Sequence, residues 1–198
     1  MKTGVFGGSF NPIHNGHIEL AKMFYKELEL DRLLIVPSYI APHKFVDKAI
    51  FPDQRFEMCA LAAKDIEGFE VSNIEIKRHG ASYTYLTLKE LHSIYPDDEL
   101  YLITGADMFL TIHQWKKPEV IFQLATICGI PRNDDDISAL NKQAEYLSSL
   151  NARTRILDAA VMTVSSTEIR QKVKAGEDIS TLVDPAVNKY IKEHNLYR

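Results

Sequence analysis

The chain has 198 residues, 45% of them hydrophobic and 25% charged, with a formal net charge of −4. That is the composition of an ordinary globular protein with room for one sizeable core. The acidic balance excludes a broad nucleic-acid surface but leaves room for a local phosphate pocket, and no apolar run approaches the ~20 residues of a membrane span.

Apolar strand candidates fall at residues 2–6, 33–37, 69–76, 99–104, 125–130 and 155–161, with helical patterns between them. The first strand runs into residues 7–17, Gly-Gly-Ser-Phe-Asn-Pro-Ile-His-Asn-Gly-His. A strand, a glycine turn and a helix start together make an anion site, because backbone N–H groups point out of the turn and the helix dipole favours negative charge. His14 and His17 add two imidazoles as donors to phosphate oxygens, and Gly16 lets the backbone come close to a ligand. Ile18, Ala21, Phe24 and Leu28 then recur at helical spacing. After the second strand, the Pro-punctuated loop Pro42-His43-Lys44 carries a cation suited to a polyphosphate.

Phe56, Ala60 and Ala63 mark the next helix, and Tyr85, Leu88, Leu91 and Tyr95 the one after, with Thr84 as a cap and Pro96 as a stop. Gly105-Ala106-Asp107 directly follows strand 99–104. Its carboxylate suits either a helix cap or the hydroxyls of a ribose. The acidic run Asn133–Asp136 reads as the cap of a helix over 137–149, favourable at that N-terminus. Ser165-Ser166-Thr167-Glu168-Ile169-Arg170 reads as a hydroxyl-capped helix start. It is either a plain capping motif or a second phosphate cradle of amides, hydroxyls and a guanidinium. The tail from Asp184 to Arg198 reads as a helix with Pro185 in its first turn.

Alternating strands and helices imply an α/β fold: a Rossmann-like, doubly wound parallel sheet with helices on both faces. We expect a single domain over residues 1–198, helical from about residue 165. Runs such as Leu33-Leu34-Ile35-Val36 are continuously apolar, as strands covered on both faces should be. In such sheets ligands bind beyond the carboxyl ends of the strands. Cys59 and Cys128, both in apolar contexts, read as buried thiols. Together with the lack of a signal-peptide pattern at the start, they point to a reducing cytoplasm.

The string from Gly7 to His17 resembles the G-x-F-x-P-x-H-x-G-H signature of the nucleotidyltransferase superfamily, whose H-x-G-H histidines act on nucleotide phosphates. Add Ser-Ser-Thr-Glu-Ile-Arg at 165–170 and, in order, Pro42-His43-Lys44, Ser82-Tyr83-Thr84, Gly105-Ala106-Asp107 and Trp115. The chain then resembles the bacterial nicotinate-nucleotide adenylyltransferases from Gly4 to Arg170. Ser9 stands where the family often has Thr, and Ile130-Pro131-Arg132-Asn133 partly matches its Arg-Pro-Gly stretch.

The resemblance implies that AMP moves from ATP to nicotinate mononucleotide, giving deamido-NAD and pyrophosphate, in NAD biosynthesis. It implies an ATP site of Gly7, Gly8, Ser9, Phe10, His14, Gly16, His17, Gly105, Asp107, Arg132, Ser165, Ser166, Thr167 and Arg170. His14, His17, Lys44 and Arg170 would be catalytic, and Ser82, Tyr83, Thr84, Trp115 and Lys116 would hold the mononucleotide. Mg²⁺ would bridge the ATP phosphates and keep several waters, with no dedicated protein cage. No nucleic-acid or membrane partner is implied, and a monomer and a homo-oligomer are both compatible.

The alternatives are another adenylyltransferase of the same superfamily, taking nicotinamide mononucleotide or pantetheine phosphate, and an inactive nucleotide-binding regulator. Pantetheine-phosphate adenylyltransferases are typically shorter and lack the Ser-Tyr-Thr and Gly-Ala-Asp…Trp strings. Cytidylyltransferases carry Arg-Thr-Glu-Gly before their Ser-Thr run, and class I aminoacyl-tRNA synthetases need more chain than this. Intact His14, His17 and Arg170 argue against an inactive regulator.

Overall fold

The structure, a computed structural model, describes residues 1–42, 50–132, 134–157, 159 and 164–198. Its strands are β1 (Lys2–Gly8), β2 (Arg32–Pro37), β3 (Phe69–Val71), β4 (Glu99–Ile103), β5 (Ala125–Gly129) and β6 (Thr154–Ile156). All pair in parallel in the order β3-β2-β1-β4-β5-β6. The helices are α1 (Asn15–Glu27), α2 (Pro52–Ala63), α3 (Ile74–Arg78), α4 (Thr84–Ile94), α5 (Ala106–Thr111), α6 (Pro118–Leu124), α7 (Asp134–Ser149), α8 (Ser166–Ala175) and α9 (Pro185–Glu193). The strand order is that of the doubly wound fold anticipated from the sequence.

Alternation along β2 shows why both faces are covered. Leu33 and Ile35 join a core with Ala21 and Phe24 of α1, Met58 and Cys59 of α2, Ile169 of α8, and Val187 and Ile191 of α9. Leu34 and Val36 point the other way, to Leu88 and Leu91 of α4, Phe109 of α5, Ile121 of α6 and Leu140 of α7. A strand buried on both faces has no polar side to spare, hence its unbroken apolar run. Cys59 and Cys128 are free and buried. Among the described residues, no helix is long and apolar enough to cross a membrane.

Some elements differ from the sequence expectation. The run 69–76 is not one strand. It pairs only as β3, and after Ser72 donates its N–H to Ile35 O the chain turns into α3. The Ser72-Asn73 step breaks the alternation of Phe69 and Val71 with Ile74 and Ile76. Thr84 is the first residue of α4 and not its cap; the cap position is Tyr83, which makes no side-chain bond. Asp107 is likewise inside α5, with Gly105 at the cap position. The acidic run lies within the first turn of α7, which starts at Asp134, and Asn133 lies outside the described residues.

The last strand pairs over Thr154–Ile156, Leu157 extends it with one bond to Gly129 O, and most of 158–163 lies outside the described residues. The tail helix stops at Glu193. Asn195 and Tyr197 take left-handed φ of 51° and 65°; Leu196 sits in the core, and the Tyr197 hydroxyl reaches Asn11 in the loop after β1.

Candidate active site

The strand order reverses at β1, whose neighbours are β2 and β4; in sheets of this kind ligands bind beyond the carboxyl ends of the strands at such a point. The glycine turn leaves β1 at this point. A Cβ on Gly8 would lie 2.8 Å from the ring of Phe10, so Gly8 lets that ring fold back under the turn. Phe10 itself takes a left-handed φ of 44°, and the Asn11–Pro12 peptide is cis. The Phe10 and Ile13 side chains are core, which leaves only backbone from Phe10 to meet a ligand. At Gly7 a Cβ would meet nothing within 4 Å.

His14 and His17 cap α1 reciprocally. His17 N–H donates to His14 Nδ1 and His14 N–H donates to His17 Nδ1, both at 3.3 Å, with the rings stacked at 3.6 Å between centroids. This is the capping-box arrangement with imidazoles in place of a hydroxyl and a carboxylate. It also sets the tautomer: a ring nitrogen that accepts an amide hydrogen carries no proton, so in each neutral ring the proton sits on Nε2. Burial pushes His14 down to about 4, so near neutral pH it is an uncharged Nε2–H donor.

The second motif is bonded onto the first. Ser165 caps α8 by accepting from Glu168 N–H at 3.1 Å. Ser166 Oγ donates to Pro12 O at 2.9 Å, and Arg170 Nη1 donates to Asn11 O at 2.9 Å. Arg170 Nη2 reaches Thr167 Oγ at 3.1 Å, and Tyr197 Oη donates to Asn11 Oδ1 at 2.8 Å. Residues 165–170 thus sit against the loop that precedes the histidines, although they are more than 150 positions away in the chain (|i−j| = 159 for Arg170 to Asn11). The Ser166 hydroxyl is engaged with Pro12.

Beyond β4 and β5, Asp107 and Arg132 form an ion pair with each other, and Arg132 N–H donates to Asp136 Oδ2 at 3.0 Å. A Cβ on Gly105 would meet nothing within 4 Å, so the backbone there is open to approach. Ser82-Tyr83-Thr84 and Trp115-Lys116 also come together: Lys116 Nζ lies 4.4 Å over the Tyr83 ring. Trp115 is half-buried against the second core. His43 and Lys44 lie outside the described residues.

Two residues that the motifs did not single out hold these pieces. Arg55 is buried and donates from Nη1 to Ser9 O at 2.7 Å and from Nη2 to Ser38 O and to Tyr39 O. Glu75 is buried on α3 and accepts from Thr87 Oγ at 2.5 Å. Burial raises the Glu75 carboxyl, while hydrogen bonds from Thr87 and Ser82 and the Arg78 charge oppose the rise. A signal existed for Arg55: it lies on the same helical stripe as buried Met58 and Cys59. Glu75 lay hidden in a run read as a strand.

A doubly wound parallel sheet with paired imidazoles and a hydroxyl-capped helix over its switch point is the framework of a nucleotide-binding α/β protein. The model of the cytidylyltransferase-like family matches residues 5–172. A relative from Desulfitobacterium hafniense (strain Y51), named "Probable nicotinate-nucleotide adenylyltransferase", is 37% identical over 100% of this chain and 96% of its own. One of the same name from Clostridium tetani is 36% identical over 100% and 99%. The nicotinic acid mononucleotide adenylyltransferase of Plasmodium falciparum, solved in complex with NaAD, superposes with a TM-score of 0.80 at 19% identity, covering 100% of this chain and 98% of that one. That likeness is one of fold. The chain belongs to the cytidylyltransferase-like family and, within it, to the nicotinate-nucleotide adenylyltransferases.

Proposed function

We propose that this protein is the adenylyltransferase that moves AMP from ATP to nicotinate mononucleotide, releasing deamido-NAD and pyrophosphate, in NAD biosynthesis. The observation that carries the reading is the bonding of Ser166 and Arg170 onto the Asn11–Pro12 backbone beside the stacked His14–His17 pair. It gathers amide, imidazole, hydroxyl and guanidinium donors at one strand end, a set matched to a polyphosphate.

In the reaction, a 5′-phosphate oxygen of the mononucleotide attacks the α-phosphorus of ATP in line. The bond from that phosphorus to the bridging oxygen breaks, and the electron pair leaves with pyrophosphate. The nucleophile is already an anion, so no general base is required. Catalysis then rests on positioning and on donors aimed at developing negative charge. His14, neutral with its proton on Nε2, suits hydrogen-bond donation to the α-phosphate better than proton transfer. His17 would act beside it, with Lys44, Arg170, Ser165 and Thr167 on the outer phosphates. ATP would enter as its Mg²⁺ complex. Mg²⁺ binds phosphate oxygens and keeps several waters in sites of this kind, so it would need no dedicated protein cage.

Gly105 and Asp107 would take the adenosine ribose. The mononucleotide would lie between Ser82-Tyr83-Thr84 and Trp115-Lys116, where α4 starts without a side-chain cap and its first amides suit a carboxylate. Free, buried Cys59 and Cys128 suit a reducing cytoplasm. The test is incubation with ATP, Mg²⁺ and a panel of phosphate acceptors, with products identified by mass. Deamido-NAD and pyrophosphate are expected. Product only from another acceptor, or none at all, would overturn the reading.

A further inference from the structure

Two buried ionisable groups take no part in the chemistry above, and they brace one stretch of the chain, residues 82–87, from two sides. Arg55 is 1% exposed and Glu75 6% exposed, burials that persist only where the groups find partners. Arg55 Nη2 donates to the Ser38 carbonyl. The N–H of that same peptide, belonging to Tyr39, donates to Ser82 Oγ at 2.9 Å. Polarity therefore runs one way from the guanidinium through carbonyl and amide N–H to the Ser82 hydroxyl, and bonds aligned in this way polarise one another. Glu75 accepts from Thr87 Oγ at 2.5 Å, five residues beyond Ser82 in the chain. Ser82 and Thr87 both oppose the rise that burial imposes on the Glu75 carboxyl.

Each end holds part of the site. Arg55 Nη1 fixes Ser9 O in the turn after β1. Glu75 holds Thr87 of α4, just after residues 83–84, while the Tyr39 N–H holds Ser82, just before them. We propose that Glu75 and Arg55 are positioning residues: Arg55 through the Ser38–Tyr39 peptide and Ser82, and Glu75 through Thr87 of α4, set the Ser82-Tyr83-Thr84 segment at a fixed place relative to the phosphate-binding turn. The proposal rests on the reading of that segment as the acceptor pocket. Loss of the Glu75 end leaves an acceptor pocket that the mononucleotide must order as it binds. That weakens acceptor binding and leaves the ATP side and the saturated rate in place.

The test compares Glu75→Gln with the wild type by steady-state kinetics and amide hydrogen exchange. The variant keeps the shape and removes the charge. The KM for nicotinate mononucleotide should rise about tenfold, the scale for one hydrogen bond to a charged group, with kcat and the KM for ATP unchanged. Exchange over residues 82–86 should speed up by about the same factor. Thr87→Val removes the hydroxyl that joins Glu75 to α4, lies outside the acceptor pocket and alters no charge, and it stands in if Glu75→Gln does not fold.

A folded variant with an unchanged acceptor KM, with equal rises in both KM values, or with unchanged exchange over 82–86 overturns the proposal. Wild-type turnover tests the underlying reading separately. If the wild type uses a different acceptor, the KM for that acceptor takes the same place. If it uses none, the exchange result alone decides.

Discussion

The reciprocal cap at the start of α1 allows the two jobs of His17 to be separated by substitution. Its Nδ1 accepts the His14 amide at 3.3 Å, a structural role, while Nε2–H is the donor assigned to phosphate. Asn at this position places Oδ1 where Nδ1 stands but has nothing at the position of Nε2. Gln reaches the Nε2 position and abandons the cap. His17→Asn should therefore keep most of the fold's stability and lose one preorganised donor to the transition state, about 3 kcal/mol or on the order of 10²-fold in kcat. His17→Ala should lose the same donor and, in addition, about 1 kcal/mol of stability with the cap. His17→Gln should retain more turnover than Asn while melting lower. Pyrophosphate release at saturating substrates, read beside urea unfolding, measures both quantities. A folded His17→Asn protein with near wild-type kcat, or a reversed order of Asn and Gln in turnover, would refute the division of roles.

Arg170→Ala should weaken ATP more than the mononucleotide by calorimetry, and Lys should restore only part, since it lacks the bidentate fork; equal losses for both ligands would contradict the assignment. Burial lowers His14 from the ordinary 6.5 to about 4. The unfolded chain therefore takes up a proton that the folded chain refuses. Stability should be full above pH ~6.5 and fall as pH drops towards 4, by about 3 kcal/mol in all. His14→Asn should flatten that part of the urea-unfolding profile, and an unchanged slope would count against the burial argument. Nicotinate mononucleotide should outperform nicotinamide mononucleotide in kcat/KM, because mispaired buried donors cost about 1–3 kcal/mol each. Trp115→Ala should raise the mononucleotide KM and spare ATP. Equal efficiency with acid and amide would remove the carboxylate pocket, and an unmoved KM in Trp115→Ala would remove the stacking role.

Which parts of this were legible beforehand follows from the range of each interaction. The unbroken apolar runs at 33–37 and 100–103 report burial on both faces of a parallel sheet, a property of the strand alone, and so they read correctly. The glycine turn and the helix start after it are equally local. The Ser72-Asn73 break in the run 69–76 is a local signal too, but a weak one against Phe69, Val71, Ile74 and Ile76. Arg55 and Glu75 lie at the other extreme. Their partners are backbone carbonyls and hydroxyls of other segments, and no spacing rule foretells a guanidinium aimed at Ser9 O and Ser38 O. The contact of residues 165–170 with Asn11 and Pro12 is also non-local. It was reached only because both segments match motifs that occur together in one family.

The Asp107–Arg132 pair sets the two halves of the site in contrast. Both residues were assigned to ATP, and in the structure they bind each other at side-chain exposures of 67% and 51%. An exposed pair of this kind contributes only about 0–1 kcal/mol, so ribose hydroxyls at Asp107 and a phosphate at Arg132 can replace it at little cost. The segment proposed for the mononucleotide instead leans on Glu75 and Arg55, whose partners lie in the interior. Substitutions should divide accordingly. Asp107→Asn should raise the KM for ATP by about tenfold, through loss of the charge-assisted bonds to ribose, and leave the melting temperature within about 2 °C of wild type, since exposed pairs carry so little stability. Thermal unfolding and ATP-dependent kinetics on one preparation check both. A melting temperature that falls sharply with ATP KM unmoved would mean that Asp107 serves the fold through Arg132 and does not meet the nucleotide.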